Sequence, residues 1–134
     1  MSPILVDTHV LLWYHIGDVR LSATARSIIE DSRQPLSFSI VSFWEITIKS
    51  QLGRVGSVSG AVPPLDELSS AIQAETLPIT IDHLKVLESL PMHHRDPFDR
   101  LLIAQAIAEN MPVLTADAAF RPYPVPIRWA EATD

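Results

Sequence analysis

The chain has 134 residues, 47% of them hydrophobic, which suits one globular domain with a real core; a mean hydropathy of +0.18 excludes a disordered polymer. Cysteine is absent, so disulfides, thiolate metal sites and a cysteine nucleophile are excluded. Ten Lys+Arg against 16 Asp+Glu give a formal charge of -6; phosphate affinity comes mainly from Lys and Arg, so a passive nucleic-acid-binding module is disfavoured, while a nuclease that takes its positive charge from metal ions is not.

The first residues carry no basic n-region, and the apolar run Ile4-Leu5-Val6 breaks at Asp7. No stretch approaches the roughly 20 apolar residues of a membrane span. A cytoplasmic protein without a membrane partner is expected. Residues 4–6 read as a short buried strand and 7–14 as a helix. Residues 21–33 form a second helix with Ser22 as its cap candidate, and Pro35 ends it. The alternation of 36–41 predicts strand two. Residues 42–52 form a helix closed by Gly53 at the C′ position. Residues 53–64, with three glycines and Pro63-Pro64, form the one clear loop.

Farther on, 65–74 is helical, 77–79 a short strand, 81–90 a helix and 91–95 a loop. Residues 96–110 are apolar on nearly all sides, which predicts the buried helix of the core. Residues 112–115 read as a strand, 116–120 as a helical turn, and 126–129 as an edge strand, since proline suits edges. Strands alternating with helices imply right-handed βαβ units and a mainly parallel sheet.

Four acids recur at the starts of these helices: Asp7, Glu45, Asp99 and Asp117. Taken singly, capping is the better explanation of any one. Ser42-Phe43-Trp44-Glu45 matches a capping box, Asp96-Pro97-Phe98-Asp99 is a good helix start, and Asp7 and Asp117 can each cap the helix after it. As a set they are harder to dismiss. Strand-to-helix junctions of a parallel sheet share one edge, where ligands bind, and the short strands before Asp7 and Asp117 are expected side by side. Two bare carboxylates about 4 Å apart repel by roughly 4 kcal/mol at an effective dielectric of 20. Such a cluster needs protons or a hard cation such as Mg²⁺ or Mn²⁺. His93-His94 reads more readily as loop or cap than as ligands, and no Gly-rich phosphate loop is present.

Residues 5–13 (Leu-Val-Asp-Thr-His-Val-Leu-Leu-Trp) resemble the opening of a PIN domain of the VapC toxin branch. Ser42-Phe43-Trp44-Glu45-Ile46 with Lys49 resembles its second block, 94–106 its third and 114–120 its fourth, in family order across nearly the whole chain. The resemblance implies a single domain over 1–134 with a PIN-like three-layer α/β/α sandwich. It implies a metal-dependent endoribonuclease that hydrolyses RNA phosphodiesters with a metal-activated water, the toxin of a toxin–antitoxin pair and a homodimer. The family's acidic quartet falls on Asp7, Glu45, Asp99 and Asp117 as catalytic residues and ligands of Mg²⁺ or Mn²⁺. Asp7 and Asp99 are expected to be direct ligands, Thr115 to help position an acid, and Asp96 to be a cap. The cognate antitoxin would fill a groove for which Trp13, Tyr14 and Trp44 are candidate walls. A PIN-fold RNA-processing or DNA nuclease, and a non-catalytic binding module of the same fold, are the alternatives.

Overall fold

In the computed structural model, which describes residues 2–52, 64–71 and 74–132, the short apolar runs pair into one sheet and the longer segments coil against its two faces. In chain order the elements are β1 (Ile4–Val6), α1 (Thr8–Ile16), α2 (Ala23–Glu30), β2 (Leu36–Ser39), α3 (Ile40–Gln51), α4 (Leu65–Ala71), β3 (Glu75–Leu77), α5 (Ile81–Ser89), α6 (Pro97–Glu109), β4 (Val113–Thr115), a 3₁₀ turn (Ala118–Phe120) and β5 (Ile127–Trp129). The strands lie in the order β3-β2-β1-β4-β5, and every pairing is parallel. The predicted edge strand is there, hydrogen-bonded to β4 alone.

The side chains of β1 alternate between two cores. Ile4 and Val6 join Val10, Leu11, Leu12, Ala25 and Ile29 of α1 and α2 on one face. Leu5 joins Leu101, Leu102, Ala104 and Val113 on the other, the face covered by α6. With helices on both faces, this is a three-layer α/β/α sandwich, and burial on both faces explains why the central strands read as continuous apolar runs. The low amphipathicity of α6 follows from its position: residues 101–106 are all buried.

The chain leaves β1 toward β2 and β3 on one side and returns through β4 and β5 on the other. The order therefore reverses between β1 and β4, where Val6 pairs with Leu114. Crevices beyond the carboxyl ends of the strands at such a reversal are where open α/β sheets bind ligands. Asp7 and Asp117 sit at that spot, one directly after β1 and the other two residues after β4.

Three expectations shift. Strand two stops at Ser39, whose hydroxyl accepts from the Val41 N–H and caps α3, so the helix starts at Ile40 and not at Ser42. The Ser42–Glu45 capping box is therefore not formed. Ser42 is buried and accepts a hydrogen bond from the Thr8 hydroxyl at 2.8 Å, and Glu45 sits in the second turn. Strand three runs over Glu75–Leu77 and not 77–79, with a largely exposed face that gives no apolar alternation to read. The expected Gly53 stop and the Gly/Ser/Pro loop at 53–63 lie outside the described residues.

Candidate metal centre

Each expected acid arrives on a different element, and each has a local reason for its pose. Asp7 caps α1: Oδ1 accepts from the Thr8 N–H at 2.7 Å. That leaves Oδ2, which accepts from the Thr115 hydroxyl at 2.9 Å, a bond across the β1–β4 pair. Thr115 in turn accepts from the Asp117 N–H at 3.0 Å. Asp117 caps the 3₁₀ turn through Oδ1, which accepts from the Ala119 N–H, and its Oδ2 lies 3.7 Å from His94 Nε2. Asp96 caps α6 with Pro97 at the first helical position. That start turns Asp99 inward from the first turn of α6. Capping and site roles thus divide between the two oxygens of a single carboxylate.

These acids meet. Donor atoms of Glu45, Asp96 and Asp99 lie within 4.8 Å of one another, and so do those of His94, Asp99 and Asp117; Asp99 belongs to both groups. Asp7, Glu45 and Asp99 are buried, and Asp117 is partly open. Burial is the largest influence on Asp99, and the charges of Asp7, Asp96, Glu45 and Asp117 add to it, so its carboxyl is pushed up to about 9. Asp7 is pushed up to about 6, again chiefly by burial; His9 and the Thr115 hydrogen bond oppose the shift, and Glu45 reinforces it. Without a cation Asp99 therefore holds a proton at neutral pH.

Two residues that sequence reasoning did not place in the site also reach the cluster. His94 Nε2 is 2.8 Å from Asp99 Oδ2, and the Asp96 N–H approaches its Nδ1 at 3.5 Å, which leaves Nε2 as the donor. His93 turns the other way, with its ring centroid 5.3 Å from that of Tyr123. The adjacent histidines, read from sequence as loop or cap, point apart, and one of them points into the site. Lys49 Nζ lies 2.5 Å from Glu45 Oε2 and 3.9 Å from Asp96 Oδ2. The i,i+4 spacing of Glu45 and Lys49 was the available signal. No comparable signal marks His94, whose loop position carries no period.

The donor chemistry fits a hard divalent ion. Four carboxylates, Glu45, Asp96, Asp99 and Asp117, offer closely spaced oxygens, with the His94 imidazole among them and Asp7 alongside. Glu45 Oε1 is buried without a hydrogen-bond partner among the described residues, and a buried acceptor left unpaired is costly unless something fills the gap. A cavity of about 190 Å³ opens beside the cluster, lined by Asp7, His9, Trp13, Ala116 and Asp117. A larger hollow of about 590 Å³ lies among Pro3, Pro35 and Glu75, at the opposite ends of the strands. Of the aromatic residues expected along a groove, Trp13 is buried in the core beneath the Arg20 guanidinium, and Tyr14 is half-buried with its hydroxyl on Glu30. Trp44 is 51% exposed, with one ring edge against Phe98.

Comparison with known proteins points in one direction. The family model of the PIN domain matches residues 4–125. Ribonuclease VapC22 of Mycobacterium tuberculosis is 28% identical over 122 residues, covering 90% of this chain and 92% of that protein. Among solved structures, VapBC2 from Rickettsia felis, bound to a DNA fragment from its promoter, superposes with a TM-score of 0.70 at 11% identity, covering 96% of this chain and 99% of the other. A toxin–antitoxin complex from Klebsiella pneumoniae gives a TM-score of 0.62 at 15% identity, covering 90% and 92%.

Proposed function

The chain belongs to the PIN domain family, and from that premise we propose that it is a metal-dependent endoribonuclease acting as the toxin of a toxin–antitoxin pair. The observation that carries this reading is Asp99, buried beside Glu45, Asp96 and Asp117 and raised in pKa by burial and by the charges of Asp7, Asp96, Glu45 and Asp117. A purely structural core would not hold that many carboxylates together. The relative named as a ribonuclease supports the substrate class, and the neighbours solved as toxin–antitoxin complexes support a protein antitoxin as partner. The proposal includes a single domain over 1–134 and a homodimer.

The reaction is hydrolysis of an RNA phosphodiester: a water oxygen bonds to phosphorus, a P–O bond breaks, and the proton ends on the leaving oxygen. Bound Mg²⁺ or Mn²⁺ supplies a Lewis acid that lowers the pKa of a ligated water and offsets charge on the phosphate. In this reading Asp7 and Asp99 would hold the ion directly, and Asp117 and Glu45 would complete its surroundings. The Thr115 hydroxyl fixes the rotamer of Asp7, and His94 fixes that of Asp99; such supporting bonds keep ligands in productive geometry. Asp96 fixes the start of α6 and so the direction in which Asp99 projects.

Cleavage of total RNA with Mg²⁺ or Mn²⁺, with chelator, and by the Asp99→Asn variant tests the reading, with sequencing of the new ends. Metal-stimulated cuts that fall by orders of magnitude in the variant are expected. Near-normal cleavage by folded Asp99→Asn returns that residue to capping alone. No cleavage of any RNA by wild type under either metal overturns the enzyme.

A further inference from the structure

Lys49 occupies an unusual place for a lysine. Its side chain is three-quarters buried, and its ammonium lies 5.9 Å from the centroid of the Phe98 ring. Of the three carboxylates in the Glu45–Asp96–Asp99 group, the ammonium touches two, at 2.5 Å from Glu45 Oε2 and 3.9 Å from Asp96 Oδ2. Glu45 precedes Lys49 by one helical turn on α3, the favoured polarity for such a pair. Among the described residues, Asp99 and Asp117 of the second group form ion pairs with His94 and with no lysine or arginine. The cluster therefore has a flank already held by a tethered positive charge and a flank without one.

A divalent ion ligated by Glu45 and Asp96 would have to share their oxygens with an ammonium of like charge. Both bind the same lone pairs, and two cations a few ångströms apart in a partly dry site repel strongly. Lysine also lowers the charge that bound ions must neutralise. Glu45 keeps one oxygen, Oε1, without a partner among the described residues, and that oxygen is not taken by the ammonium, which sits on Oε2.

We propose that Lys49 stands in for a second divalent ion, so that each chain takes one Mg²⁺ or Mn²⁺ and Glu45 offers it a single oxygen. Lys49 is in this sense a positioning residue for the metal centre, and the inference rests on the metal-dependent reading above. The full chain titrated with Mn²⁺ alone, followed by calorimetry and by the paramagnetic resonance of free Mn²⁺, reads the number of ions directly. Wild type and Lys49→Arg are expected to bind one ion per chain, and Lys49→Met two. A merely structural lysine would alter melting temperature without altering that count. Two ions on wild type, or one ion on a folded Lys49→Met with Lys49→Gln agreeing, overturns the role of Lys49 and leaves the metal-dependent enzyme standing. Should Lys49→Met fail to fold, the count on wild type and on Lys49→Gln decides in the same way. No Mn²⁺ bound by any form overturns both.

Discussion

Asp99 is where the chemistry of this chain concentrates, because one carboxylate belongs to both groups of possible ligands and feels every other acid of the site. Its raised pKa, with that of Asp7, makes a statement about stability. In the unfolded chain both groups titrate near the ordinary 3.8; in the folded, metal-free protein they titrate at about 9 and about 6. The native state therefore binds protons more tightly, and stability falls as pH rises wherever the folded form holds more protons than the unfolded one. This contribution is fully present below about pH 4, is lost for Asp7 as pH rises to about 6, and continues to be lost for Asp99 up to about pH 9. Urea melts of chelated protein from pH 4 to 9 are expected to show that decline, and saturating Mn²⁺ to flatten it. The acids themselves were legible in the sequence because each stands near the start of a helix, Asp7, Glu45 and Asp117 after a strand and Asp99 after a loop. His94 was not, since nothing in a loop's composition says which neighbour its ring will face.

At the scale of elements, the alternation of strands and helices was readable apart from the bounds of β3, and so was the neighbouring of β1 and β4 that brings Asp7 to Thr115. The start of α3 was not readable, for a physical reason. Ser39 and Ser42 both precede apolar turns, and the choice of Ser39 is made by tertiary contacts: its hydroxyl donates to Gln105 of α6 while accepting from Val41. Gln105 also reaches the carbonyl of Pro78 at 3.2 Å, tying α6 to the segment before α5. Ser42 instead links α3 to α1 through Thr8. Ser42→Ala strands the buried Thr8 hydroxyl and is expected to cost about 1–3 kcal/mol. Adding Thr8→Val removes both partners and should recover most of that loss. Chemical melts of the two single variants and the double variant check it. A capping Ser42 would show no recovery.

Over the whole molecule, a net charge of -6 and an acidic centre at the open edge of the sheet favour a basic partner. An antitoxin segment carrying Arg would meet these carboxylates with charge-assisted bonds. Its affinity is expected to weaken as salt rises and to compete with Mn²⁺, both measurable by titration of the purified pair. Purification from the native operon without any small protein bound would contradict that partner. Among the described residues no helix is long and apolar enough to cross a membrane.

Whether the four carboxylates share one metal site is decided by melting curves of wild type and Asp99→Asn, in chelator and in excess Mn²⁺ at pH 8. Asn neither repels its neighbours nor must take up a proton on folding, so in chelator the variant is expected to melt above wild type, by more as pH rises. An ion that binds only the folded site adds about 2.7 kcal/mol at a hundredfold excess over Kd, which for a domain this size is a gain of roughly 10 °C. Wild type should show that gain, and Asp99→Asn should lose most of it. Capping alone predicts the reverse, because losing a first-turn charge costs a few tenths to about 1 kcal/mol with or without metal. If Asp99→Asn melts below wild type in chelator and then responds to Mn²⁺ as wild type does, the shared metal site is contradicted.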